Sequence, residues 1–260
     1  MTPSTVREEQ HRGVLVVTID RREVRNAIDG PTAEALAAAF RRFDADRAAA
    51  VAVLTGAGGN FCSGADLTTL EPGHPRALAV SADGDAPLGV SRLSLSKPVI
   101  AAVEGYAVAG GLEVAIWCDL RVCGQSAVLG VFNRRWGVPL MDGGTIRLPR
   151  LVGQGRALDM VVTGRAVGAA EALSIGLVDR VVPDGTALDA ARALATQIAA
   201  HPQTCVRSDR LSLYEQYSLS TDDALRNESR RGIDVIRTGE PLSGAARFRD
   251  GEGRHGADAS

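Results

Sequence analysis

An α/β fold is what the residue pattern of this chain predicts, on two observations. Short β-branched runs recur as far as Val182, and alanine-rich stretches with helical spacing separate them. The runs Val14 to Ile19, Val51 to Thr55, Pro98 to Val103, Leu120 to Val122 and Val178 to Val182 have the length and composition of buried strands. Between them, Thr32 to Phe43 puts Leu36, Phe40 and Phe43 on one helical face, and Gly155 to Val162 keeps the same period.

Taken in order, Met1 to Gln10 is polar and lacks the basic segment and apolar run of a secretory signal, so none is expected. The segment Glu71 to Val90 is rich in Pro, Gly, Ala and Asp with weak periodicity, which predicts a mobile connection over a binding site. After His201-Pro202 the character changes. Thr204 to Arg237 is helical and charged with few strand signals, so residues 1–200 are expected to form the core and residues 201–250 a C-terminal helical region. Gly251 to Ser260 reads as a disordered tail.

Bulk composition narrows the function. A chain of 260 residues with 45% hydrophobic and 23% charged content buries a sizeable core. Its formal charge of −2 supplies no positive field for nucleic acid or a membrane surface, and no apolar run reaches the ~18 residues of a span. Cys62, Cys118, Cys123 and Cys205 match neither metal-ligand spacing nor a secreted disulfide framework, which points to a reducing cytoplasm. His11, His74, His201 and His255 have no local partners and no metal spacing, so no metal is expected.

Two glycine-rich turns carry the chemistry. Thr55 to Leu67 (TGAGGNFCSGADL) follows the Val51 strand, and its glycines let backbone N–H groups face a ligand. A dinucleotide loop fails on spacing, because Phe61 stands where a third glycine is needed. Lys97 to Ala115 (KPVIAAVEGYAVAGGLEVA) reads as a buried strand, a small-residue turn, and a helix opening near Gly110. Such a helix start offers unpaired N–H groups and partial positive charge to a developing oxyanion. Glu113 projects from its first turn, as a proton-transfer group or as an ordinary first-turn acid.

Together these stretches resemble the crotonase, or enoyl-CoA hydratase/isomerase, superfamily. Similarity extends through Arg25-Asn26-Ala27, Gly143 to Gly153, and Thr163 to Asp179, leaving out the tail and Glu71 to Val90. The resemblance implies a crotonase (ClpP-like) spiral of ββα units with a C-terminal helical trimerisation region, giving a homotrimer or a dimer of trimers. It makes the N–H groups of Ala65 and Gly110 an oxyanion hole for an acyl-CoA thioester. It places CoA near Arg25, Ala27, Ser63, Ala65, Asp66, Leu67 and Thr68. Coenzyme A enters as part of the substrate, so no separate cofactor is expected. By the same analogy Arg247 and Phe248 reach a neighbour's CoA site.

The reaction implied is water addition to a 2-enoyl-CoA, for which the family's hydratases use two glutamates. Glu113 matches the first. Asn133 stands at the second, and an amide exchanges no proton near neutral pH. Asp142, before the Gly143-Gly144 pair, is the substitute acid/base candidate, with an N-cap as its other reading. Asn133 and Trp136 are candidates for the acyl pocket, though Arg134-Arg135-Trp136 also reads as a solvated basic turn. Cys62 reads as a small buried residue. Isomerisation, hydrolysis of an atypical acyl-CoA, and acyl-CoA binding without chemistry stay open.

Overall fold

The computed structural model describes residues 4–71 and 73–251. The expected tail, apart from Gly251, and His255 lie outside the described residues. In chain order the elements are β1 (Val6–His11), β2 (Val14–Ile19), α1 (Gly30–Ala45), β3 (Val51–Gly56), β4 (Val99–Val103), β5 (Tyr106–Val108) and α2 (Gly110–Trp117). There follow β6 (Leu120–Gly124), β7 (Val128–Gly130), α3 (Gly144–Val152), α4 (Gln154–Thr163), β8 (Ala166–Gly168), α5 (Ala169–Ser174) and β9 (Arg180–Val182). Helices α6 (Ala187–Ala200), α7 (Gln203–Glu215), α8 (Thr221–Arg237) and α9 (Glu240–Asp250) close the described chain.

The strands form a six-stranded sheet in the order β1-β2-β3-β4-β6-β9 and a three-stranded sheet β5-β7-β8. Only β1 runs antiparallel in the larger sheet. The chain alternates between sheets, β4 and β6 in the larger being followed by β5 and β7 in the smaller, with α2 and α3 closing the units. That alternation is the ββα spiral. Residues 99–103 are buried throughout, as a parallel strand covered on both faces requires. On α1, Leu36, Phe40 and Phe43 are fully buried; Asp29 caps the helix by accepting from Thr32 N.

Two differences from the sequence reading have simple causes. Strand β1 begins in the Met1 to Gln10 segment read only as polar and ends one residue beyond it, and all of it but Val6 is exposed. An edge strand pairs through its backbone, so VREEQH needs no apolar alternation. Strands β5, β7 and β8 have three residues each, too short to establish a period; β5 occupies what reads as a turn. The C-terminal helical region is tied to the sheet through α7. Asp119, before β6, accepts from Arg210 Nε at 2.8 Å and Tyr214 Oη at 2.7 Å, both on α7.

Candidate active site

The two glycine-rich turns meet because each is paired to a neighbour. Cys62 lies beside Ala107 in a parallel bridge, with Cys62 N donating to Tyr106 O at 2.9 Å and Val108 N to Cys62 O at 3.1 Å. On the other side Ile28 bridges Ala65: Ile28 N donates to Gly64 O at 2.8 Å and Asp66 N to Ile28 O at 2.9 Å. In an extended chain successive N–H groups point to opposite sides. With Asp66 N–H turned toward Ile28, Ala65 N–H faces the other way, toward the start of α2. Among the described residues neither Ala65 N–H nor Gly110 N–H has an acceptor within the chain.

The close approach dictates the glycines. A β carbon on Gly111 would lie 2.1 Å from Cys62 O, and one on Gly64, whose φ is +98°, would lie 2.8 Å from Gly110 N. Between them Ala109 takes φ 54° and ψ −127°, a conformation that a residue with a β carbon rarely adopts. Holding Ala109 there costs ~1–3 kcal/mol, and the next residue, Gly110, lines the cavity.

That cavity measures about 400 Å³. Ser63, Ala65, Leu67, Gly110, Glu113, Asn133, Trp136 and Asp142 all line it, so the structure brings together most of the residues singled out from the sequence. Leu78, Val80, Pro87 and Leu88 also line it, which gives the irregular Glu71 to Val90 segment its place in the wall. Trp136 stands at the rim, 70% exposed, on a 3-10 turn over Phe132–Trp136.

Arg25, Ala27, Asp66 and Thr68 lie outside this lining. Arg25 is exposed, with its guanidinium over the Tyr106 ring and its carbonyl accepting from Ser63 N. Asn26 fixes this loop by donating through Nδ2 to Ala57 O and Asn60 O at 2.8 and 2.7 Å. Asp66 is buried and turned inward. Burial raises its pKa, but bonds from Thr68 and Arg21 outweigh that and hold it below the ordinary carboxylate range.

Glu113 is 3% exposed, and its Oε1 accepts from Asp142 N at 2.9 Å and Gly144 N at 2.8 Å. The carboxylate therefore caps α3, a different helix from its own, leaving Oε2 as the oxygen available for proton exchange. Burial above all, reinforced by the Asp142 charge, pushes its pKa up to about 7 against those N–H bonds. The unfolded value is near 4.5, so the folded chain holds a proton that the unfolded chain releases. Stability from this group is full below about pH 4.5 and is lost as pH rises through about 7. Glu113→Gln should therefore raise stability at pH ~8 by up to about 3 kcal/mol, with the gain vanishing by pH ~4.5 in thermal unfolding.

Asp142 is not the helix cap that its sequence context allows. Gly143 occupies that position and has no side chain to cap with. Asp142 Oδ1 instead accepts from Leu88 N at 3.0 Å and Ser91 Oγ at 2.5 Å, and burial outweighs both bonds to raise its pKa. Arg147 ties the two segments by donating to Asp142 O and Ser91 O. Sequence reasoning missed Ser91 and Arg147 as positioning residues. Cys62 is fully buried and its thiol is pushed up to about 12 by burial, in line with a packing role.

Two N–H groups without acceptors, beside two buried carboxylates of raised pKa at an apolar cavity, have the chemistry suited to proton transfer next to a polarised carbonyl. The profile described as Enoyl-CoA hydratase/isomerase matches residues 9–249, and the chain belongs to that family. It is 35% identical over 247 residues to "Enoyl-CoA hydratase EchA19" of Mycobacterium tuberculosis, covering 92% of this chain and 91% of the relative. It is also 35% identical over 245 residues to "Carnitinyl-CoA dehydratase" of Proteus mirabilis, covering 90% and 91%. Among solved structures, enoyl-CoA hydratase EchA1 from Mycobacterium marinum superposes with a TM-score of 0.89 at 34% identity, covering 95% and 96%.

Proposed function

We propose that this enzyme adds water to, or removes it from, the α,β bond of an acyl-CoA thioester, with Glu113 and Asp142 as its acid/base pair. The observation that carries the reading is the pair itself: each carboxylate has one oxygen tied down by protein donors, leaving the other for exchange. The thioester oxygen sits between Ala65 N–H and Gly110 N–H, where enolate charge develops. Each such donor is worth ~2.7–4 kcal/mol in the transition state. Glu113 takes a proton from water as its oxygen joins Cβ, and Asp142 delivers one to Cα. Dehydration reverses both transfers.

Asp142→Asn tests the assignment. Turnover of crotonyl-CoA, followed by loss of its conjugated-thioester absorbance, should fall ~10²-fold or more while KM changes little. Unchanged kcat would remove Asp142 from the mechanism. Asn133 supports a second reading, double-bond isomerisation, in which Glu113 alone carries a proton between Cα and Cγ; a 3-enoyl-CoA turned over faster than its 2-enoyl isomer would favour it.

The same reading extends to assembly and setting. No helix among the described residues is long and apolar enough to cross a membrane. The cytoplasm is the proposed location. Exposed Leu225, Ile233 and Ile236 on α8 fit a homotrimer or a dimer of trimers, and a monomer by sedimentation would contradict that.

A further inference from the structure

The Arg134-Arg135-Trp136 turn is tied to the end of α4 by both of its arginines. Arg134 Nε donates to Val161 O at 3.0 Å, and Arg135 Nη2 donates to Gly164 O at 2.9 Å. The Arg135 guanidinium also lies 3.7 Å from the centre of the Phe132 ring, so the turn is stacked as well as bonded. Trp136, by contrast, turns its indole outward at 70% exposure. A large apolar ring is thus held in water by a turn that is itself fixed.

One exposed apolar side chain needs no explanation, but Trp136 is not alone. Val80 at 62%, Leu70 at 47% and Met141 at 37% are also exposed, and all of them line the cavity that holds Glu113 and Asp142. They come from separate segments of the chain and meet at one mouth. Deeper in the same cavity lie buried Leu88 and Val108, so the apolar lining continues from the acid/base pair out to solvent. The amides and phosphates of a CoA arm need polar partners, and among these rim side chains only the Trp136 indole N–H is polar. An apolar chain that leaves the cavity by this mouth is the occupant they suit.

We propose that Leu70, Val80, Trp136 and Met141 form an apolar collar for the far end of the acyl group, so that this enzyme prefers acyl-CoA thioesters whose acyl group projects beyond the cavity. This rests on the acyl-CoA reading above, though not on which reaction follows. A four-carbon acyl group stays within the 400 Å³ cavity and leaves the collar in water. A longer one covers it. Each methylene moved from water onto a surface that covers one of its sides adds about twofold to affinity, and full burial about fourfold. Trp136 presents the largest face and is the specificity-determining residue of the collar.

The test is calorimetric binding of two saturated thioesters, dodecanoyl-CoA and butyryl-CoA, below the concentration at which the longer one forms micelles. Dodecanoyl-CoA should bind about 100-fold or more tightly. Trp136→Ala should reduce that ratio about tenfold, and Trp136→Phe, which keeps an aromatic face, should largely preserve it. The chain has two tryptophans, and Trp117 is only 8% exposed, so a blue shift in emission with dodecanoyl-CoA and not with butyryl-CoA reports the covering of Trp136. Equal affinities for the two thioesters would overturn the inference, as would a ratio unchanged by Trp136→Ala. A smaller species for Trp136→Ala in sedimentation would also overturn it, by giving the collar to a second copy of the chain. Saturated thioesters do not react, so failure to hydrate crotonyl-CoA would sink the hydration reading alone, whereas binding of neither thioester would sink the acyl-CoA reading beneath both.

Discussion

Glu113→Gln should lower kcat for crotonyl-CoA hydration by roughly 10²- to 10⁴-fold with little change in KM. Gln retains an acceptor for Asp142 N–H and Gly144 N–H, so the cap on α3 and the cavity wall survive. What is lost is a carboxylate whose pKa of about 7 suits it to give and take protons near neutrality. The same change should raise stability at alkaline pH, because the burial that tunes the group also destabilises its charged form. Activity falling as stability rises separates a catalytic carboxylate from a structural one. Normal turnover by this variant would remove Glu113 from the chemistry.

Gly111→Ala has the second large effect, and it acts through the backbone. A β carbon 2.1 Å from Cys62 O must push α2 away from the loop that carries Ala65. Movement of about 1 Å between the two N–H donors costs about 10²-fold in rate. Overpacking of this kind also lowers stability by ~1–3 kcal/mol. Expected are a melting temperature below that of the wild type and kcat reduced at least ~10²-fold, at a temperature where the variant is folded. Full activity would mean that the two turns are not held in register by this contact.

Several features of the site are local and could be read from the sequence. A glycine-rich turn after a strand, and a helix opening at a glycine pair with Glu113 in its first turn, are set by residues within a few positions of one another. The role of Asp142 is not local. Its Ser91 partner lies 51 residues away, and the Asp-Gly-Gly context is equally that of a capped helix. Glu113 likewise caps a helix that begins 31 residues later. Ala109 shows no special signal in sequence, since Ala fits helix or strand and only the assembled turn forces its φ positive.

Asn133 shows the same limit from the other side. Its type rules out proton exchange, which the sequence states directly. That its Oδ1 is a fixed, unpaired acceptor depends on Val138 closing the 3-10 turn beneath it. The short strands β5, β7 and β8 are illegible because three residues establish no period, yet β5 holds the two turns together through the Cys62–Ala107 bridge.

The most direct test of the central claim follows crotonyl-CoA absorbance with the wild-type enzyme, Asp142→Asn and Asn133→Glu side by side. Enolate chemistry driven by Glu113 and Asp142 predicts turnover by the wild type and its loss in Asp142→Asn. An inert wild type that gains hydration only with Asn133→Glu would contradict the account, placing the natural reaction elsewhere in the family.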